Sequence, residues 1–165
     1  MKSLDRPDFV LFDIDPHQST LANAIKTARA LHDVLDEDDI ESFLKTSGKS
    51  GLHVIAPWRE KGSYDEAVHW ARSIAKRVTD AIPKIATTAR PIHLRKGRVY
   101  LDVEQNSKGK HVVPPYVVRP TPTATVSMPL KWNELTARLD PKKFTIKNAM
   151  KRLKGKADLM VALLT

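Results

Sequence analysis

Phe9-Val10-Leu11-Phe12-Asp13-Ile14-Asp15-Pro16 decides the reading of this chain, because two carboxylates interrupt what is otherwise the pattern of a buried β-strand. Side chains along a strand alternate between faces, so Asp13 and Asp15 point the same way. At about 4 Å in an effective dielectric of about 20, two such charges repel by roughly 4 kcal/mol, a cost that a bound divalent cation reverses. The alternative is a strand end whose acids face solvent or cap the helix that follows, and a D-x-D motif alone does not separate the two. Asp102 supplies a third carboxylate in a similar setting, within Arg98-Val99-Tyr100-Leu101-Asp102-Val103. Oxygen-only ligation by three carboxylates suits Mg²⁺ or Mn²⁺.

Outward from this strand, Pro16 to Thr20 reads as a turn with a capping hydroxyl, after which Leu21, Ala24, Ile25, Ala28, Leu31 and Leu35 follow helical spacing. Ser42 to Thr46 and Leu52 to Pro57 read as strands of a hairpin joined by Ser47-Gly48-Lys49-Ser50-Gly51. Ser63 with Glu66 forms a capping box in sequence, and Ala67, Val68, Ala71, Ile74, Ala75, Val78 and Ile82 define a second helix that stops before Pro83. The strand Arg98 to Val103 leads to a polar loop, then to strand-like Val112-Val113 and Tyr116 to Arg119, which the prolines at 114, 115, 120 and 122 confine to an edge or an extended connection. Leu130 to Leu135 and Phe144 to Asn148 read as starts of short helices. The order predicts one α+β domain over residues 1–165, with a mostly antiparallel sheet, helices packed on one face and the carboxylates on the other.

The 165 residues are 41 % apolar and 28 % charged, ordinary for a soluble protein of one domain. No apolar stretch approaches the roughly 20 residues that cross a bilayer, and Met1 to Arg6 lacks the apolar core of a signal peptide. With no cysteine, disulfides, thiolate zinc sites and thiol nucleophiles are excluded, and the cytoplasm is the expected compartment. The net charge of +9 favours a polyanionic partner. Pro141 to Lys156 carries Lys142, Lys143, Lys147, Lys151, Arg152, Lys154 and Lys156 with no acid, which reads either as a solvated face or as a nucleic-acid contact.

Ser47-Gly48-Lys49-Ser50-Gly51-Leu52-His53 is a second chemical cluster. Its glycines permit close backbone approach, its amides and the Ser47 and Ser50 hydroxyls suit phosphate oxygens, and Lys49 supplies charge. It is not a P-loop, since the Walker spacing is absent and a strand, not a helix, follows. His53 reads either as a phosphate donor or as a satisfied core histidine, and the adjoining loop favours the donor. Arg95 and Arg119, which flank the Asp102 strand and its continuation, are each phosphate clamps or surface cations.

Taken together, Asp13-Ile14-Asp15, Gly51-Leu52-His53 and Leu101-Asp102 resemble, in order and setting, the three signature motifs of the archaeo-eukaryotic primase superfamily. Closer still is its resemblance to the polymerase domain of bacterial ligase D. That resemblance runs through Pro7-Asp8, Phe12 to Pro16, Lys45-Thr46-Ser47-Gly48, Gly51 to Val54, Asp102-Val103-Glu104-Gln105-Asn106, Pro115 to Arg119 and Pro129 to Trp132.

The resemblance implies the RRM-like sheet of a primase-polymerase core and metal-dependent nucleotidyl transfer. Two Mn²⁺ or Mg²⁺ ions held by Asp13, Asp15 and Asp102 would activate a primer 3′-hydroxyl and stabilise the leaving pyrophosphate. Ser47, Lys49, Ser50 and His53 would meet the triphosphate, with Arg95, Gln105 and Arg119 as further contacts. The implied substrates are NTPs or dNTPs on a primer-template or gapped DNA duplex, and the implied partners are Ku and an ATP-dependent DNA ligase, at the nucleoid. In many relatives the loop lysine immediately precedes the glycine of G-L-H, a place that Ser50 holds here. Ligase D polymerase domains also carry a long portion ahead of the D-x-D strand, whereas this sequence begins about eight residues before it. The expectation is a compact core, a fragment, or one half of a split protein served by a separate N-terminal polypeptide. The rival class is a nucleotide- or nucleic-acid-binding module with reduced or no polymerase activity.

Overall fold

The alternation along Phe9 to Asp15 sets the architecture. In the computed structural model, which describes residues 4–60 and 62–163, this stretch is β1 (Phe9–Asp15), with Val10, Phe12 and Ile14 fully buried. The first three residues of the opening segment assessed above for a signal peptide lie outside the described residues. After β1 come α1 (Leu21–Glu37), β2 (Phe43–Thr46), β3 (Leu52–Pro57), α2 (Tyr64–Ala81), β4 (Ala86–Thr87), α3 (Ile92–Arg95), β5 (Val99–Asp102), β6 (Pro129–Leu130) and α4 (Ile146–Leu153). The sheet order is β4-β5-β1-β3-β2-β6, and every neighbouring pair is antiparallel except β4 and β5. The α+β expectation holds, with one parallel pair at an edge.

Both long helices cover the same face. Val10, Phe12 and Ile14 pack in one cluster with Ala24, Ala28, Leu31 and Leu35 of α1 and with Ala67, Ala71, Ile74 and Val78 of α2. The helix starts follow their local chemistry. Thr20 accepts from the Asn23 amide, and Ser63 and Glu66 form the reciprocal capping box read from sequence. Alternate residues of β1 turn to the opposite face, where Leu11 packs with Ile55 and Leu163, beside Phe9, Phe43 and Val112. That face is therefore apolar at one end and carries the carboxylates at the other. Among the described residues, no helix is long and apolar enough to cross a membrane.

β5 stops at Asp102, and a side chain continues its ladder. Asn106 Oδ1 accepts from the Leu11 amide at 2.7 Å, and its Nδ2 donates to the Leu11 carbonyl at 2.7 Å and the Val103 carbonyl at 2.8 Å. The carboxamide thus offers β1 the donor and acceptor that a further strand residue would have presented.

Leu130 to Leu135 and two short elements depart from the sequence reading. Leu130 to Leu135 was expected to start a helix, but Pro129–Leu130 pairs with β2 and only Trp132–Glu134 makes a single 3₁₀ turn. Val112-Val113 and Tyr116 to Arg119 form the extended connection that the four prolines impose, with an isolated Val118–Val126 bridge and Tyr116 at φ +65°. The short elements β4 and α3 went unread, being two and four residues long with no periodicity to detect.

Candidate active site

The strand register assembles four ionisable side chains that are distant in sequence. Lys45 on β2 pairs with His53 on β3, His53 with Asp13 on β1, and Asp13 with Asp102 on β5. Directly paired residues share a face, so these four form one row across the sheet. Asp15, two residues along β1, stands opposite Tyr100. His53 Nε2 lies 3.5 Å from Asp13 Oδ1, and Lys45 Nζ lies 2.8 Å from His53 Nδ1.

Crowding charged groups in a mostly buried row shifts their protonation. Burial foremost, then the Asp102 and Asp15 charges, push the Asp13 carboxyl up to about 7 against the pull of Lys45 and Arg119. Burial, helped by Lys45 and Arg119, pushes His53 down to about 3, which keeps the imidazole neutral. Burial also pushes Lys45 down to about 7, while Asp13 acts in the opposite sense.

The Ser47–Gly51 loop closes the hairpin beside this row. Ser47 Oγ accepts from the Lys49 amide at 3.2 Å and the Gly51 amide at 3.1 Å. With both lone pairs engaged, the hydroxyl has its hydrogen left to donate. The backbone amides of Lys49 and Gly51 are turned onto Ser47, which takes these two away from an anion and leaves the side chains of Ser47, Lys49 and Ser50 among the loop's groups for one. Gly48 has φ +73°, and a Cβ there would sit 2.5 Å from Arg119 Cγ. Its glycine therefore admits Arg119, whose Nη1 donates to the Ser47 carbonyl at 3.2 Å. A Cβ on Gly51 would meet the Ile14 carbonyl oxygen at 2.5 Å, so Gly51 lets the loop rest against β1.

A cavity of about 310 Å³ opens over the row, lined by Asp13, Asp15, Ser47, Lys49, Ser50, His53, Gln105 and Arg119 with Leu11, Gly51 and residues 111–113. Eight of the ten residues singled out from sequence thus meet in one cavity. Asp102 adjoins it across the ladder from Asp13, held by the Glu104 amide at 2.9 Å and Gln105 Nε2 at 3.3 Å. Arg95 stands apart. Its guanidinium lies 3.8 Å over the Tyr100 ring, donates to the Ala89 and Arg90 carbonyls, and reaches Asp15 Oδ2 at 3.8 Å. Sequence reasoning missed His111, which lines the cavity from an irregular loop with no pattern to flag it, and missed Lys45 as a site residue. Lys45 had a signal: a cation inside the apolar Phe43–Thr46 strand, on a hairpin whose loop length pairs it with His53.

For a divalent cation the donor chemistry fits: carboxylate oxygens on one face, with Asp13 raised in part by its acidic neighbours. Among the described residues, no three His, Asp or Glu side chains converge into a ready-made metal cage. Asp13 and Asp102 are the facing pair, and Asp15 is turned toward Arg95.

Comparison with known proteins gives a consistent result. A family model described as "LigD, primase-polymerase domain" matches residues 1–160. The bifunctional non-homologous end joining protein LigD of Bacillus subtilis is 34 % identical over 151 residues, covering 90 % of this chain and 25 % of that protein. The multifunctional non-homologous end joining DNA repair protein LigD of Mycobacterium tuberculosis is 35 % identical over 127 residues, covering 76 % of this chain and 17 % of that protein. The chain thus spans a quarter or less of these two relatives. In structure it resembles the polymerase domain of M. tuberculosis ligase D solved in complex with DNA, with a TM-score of 0.87, 32 % identity, and coverage of 96 % of this chain and 55 % of that one.

Proposed function

The chain belongs to the LigD primase-polymerase family, and from that premise we propose that it transfers nucleotidyl groups, adding NTPs or dNTPs to a primer 3′-hydroxyl on DNA during gap filling or end joining. The observation that carries this reading is the Lys45–His53–Asp13–Asp102 row beneath a cavity that also holds the Ser47–Gly51 loop and Arg119. Acidic ligands and anion-binding groups in one cavity match a reaction that needs a cation and a polyphosphate together.

Asp13, Asp15 and Asp102 would hold two Mn²⁺ or Mg²⁺ ions, which when bound supply charge for the attacking and leaving oxygens. The protein's own groups do the rest. Lys49 and Arg119 neutralise triphosphate charge, the Ser47 and Ser50 hydroxyls and His53 Nε2–H donate to its oxygens, and Gln105 steadies Asp102. Arg95 acts on Asp15 rather than on phosphate, since its other contacts bind it to the 89–90 backbone.

DNA is the proposed polymer, supported by the DNA-bound relative and by exposed Lys142, Lys143, Lys147, Lys151, Lys154 and Lys156 around α4. Ku, an ATP-dependent ligase and a cytoplasmic, nucleoid-associated setting belong to the same proposal. A binding module without turnover is the second reading, favoured by the turn of Asp15 toward Arg95. A labelled gapped duplex incubated with Mn²⁺ and NTPs separates the two. Extension that disappears in Asp13→Ala and Asp102→Ala supports the enzyme. A gel shift with no extension by the parent protein leaves only the module.

A further inference from the structure

Lys45 is the most deeply placed cation among the described residues, with no exposed surface, on β2 between β3 and the edge strand β6. Burying an ammonium is costly unless each hydrogen finds an acceptor. Two acceptors are present. Nζ lies 2.8 Å from Ser127 Oγ, and that hydroxyl gives its own hydrogen to the Thr46 carbonyl at 2.9 Å, so Ser127 must accept from Lys45. Nζ also lies 2.8 Å from His53 Nδ1, and in the ammonium form that Lys45 holds below its lowered value of about 7 it has no lone pair with which to accept. Nδ1 is then the acceptor nitrogen of the imidazole, and the ring proton resides on Nε2. That nitrogen lines up on the opposite side, 3.5 Å from Asp13 Oδ1, at the cavity wall.

We propose that Lys45 is a positioning residue, anchored by Ser127, that fixes the His53 ring with Nδ1 as acceptor and Nε2–H aimed into the cavity for a phosphate oxygen. This deepens the nucleotidyl-transfer reading and rests on it for the identity of the phosphate. Its logic is that of an outer partner which sets the tautomer and orientation of an inner histidine. An aliphatic side chain at 45 would fill the same space without that bond, which makes the role separable from packing.

The test combines ¹⁵N NMR of the His53 ring in the nucleotide-free protein at about pH 6, where Lys45 is charged and His53 neutral, with kinetics. In the parent protein the ring should carry its proton on Nε2, with Nδ1 showing the shift of a hydrogen-bonded acceptor. In Lys45→Met, Nδ1 should move toward the free-acceptor position and Nε2–H should exchange faster with solvent. The KM for the NTP should rise about tenfold with kcat changed less. A proton on Nδ1 in the parent, or an Nδ1 resonance unmoved by Lys45→Met, overturns the proposal. Should Lys45→Met fail to fold, Ser127→Ala, which releases Nζ from its anchor, must broaden or shift the same resonance, and an unchanged signal overturns it equally. Because the ring measurement needs no turnover, an inactive protein with the stated tautomer would count against the polymerase reading and not against the role of Lys45.

Discussion

Asp13 and Asp102 stand directly opposite each other in the antiparallel β1–β5 pair, so the sheet itself holds two carboxylates on one face. Like charges paired across strands destabilise a fold. In a chelator at pH 8, Asp102→Asn should therefore melt higher than the parent by a few degrees, corresponding to on the order of 1 kcal/mol. Added Mn²⁺ should reverse the order by stabilising only the parent. Thermal melts of both proteins with EDTA and with Mn²⁺ check this, and the same order in both buffers would contradict it.

Asn106 replaces a missing strand residue. Asn106→Ala removes three short hydrogen bonds and leaves the Leu11 amide and carbonyl unpaired in a buried setting, two residues from Asp13. The expected cost is roughly 2–4 kcal/mol, measured by denaturant unfolding. A loss under about 0.5 kcal/mol would show that the side chain does not carry the ladder.

Gly48 and Gly97 share φ +73°, yet a Cβ is crowded at the first and meets nothing within 4 Å at the second. Gly97→Ala should cost about 1–2 kcal/mol from the left-handed backbone alone. Gly48→Ala should cost more and also raise the KM for nucleotide, because it displaces Arg119. Equal stability losses with unchanged KM would deny the Gly48–Arg119 packing any role.

Glu134 ties α4 to the sheet edge by accepting from Arg152 Nη2 at 2.8 Å and the Lys131 amide at 2.9 Å. Arg152 foremost, with the Lys131 amide and further basic charge, outweighs burial and lowers the Glu134 carboxyl below its ordinary 4.5. The ionised form is therefore favoured by folding. Its contribution is complete above pH 4.5 and is lost as pH falls through the lowered folded value. Glu134→Gln should be less stable than the parent by about 1 kcal/mol at pH 7, with the two converging in acid. Melting at pH 7 and pH 3 measures it, and a gap that persists at pH 3 would refute the assignment.

Much of the site was legible because its chemistry lies on strands. Asp13, Asp15 and Asp102 break apolar alternation, and a period of two fixes which face they occupy. The hairpin loop likewise placed Ser47, Lys49, Ser50 and His53 together. What escaped depends on contacts that local pattern does not encode. Arg95 carries the same charge as Arg119, but only the packing of α3 against Tyr100 and the 89–90 backbone diverts it from the cavity. Leu130 to Leu135 reads as a helix start, yet Pro129–Leu130 is a strand because β2 offers an edge. Residues 111–113 reached the cavity through a proline-rich connection whose path has no periodic signature.

Whether Asp13, Asp15 and Asp102 hold divalent cations for a nucleotide is tested most directly by Mn²⁺ titration followed by electron paramagnetic resonance. The account predicts that the parent protein removes Mn²⁺ from the free signal, that an NTP strengthens this binding, and that Asp13→Asn and Asp102→Asn each abolish the strengthening. Mn²⁺ binding that is absent from the parent with NTP present, or equal in all three proteins, would contradict it.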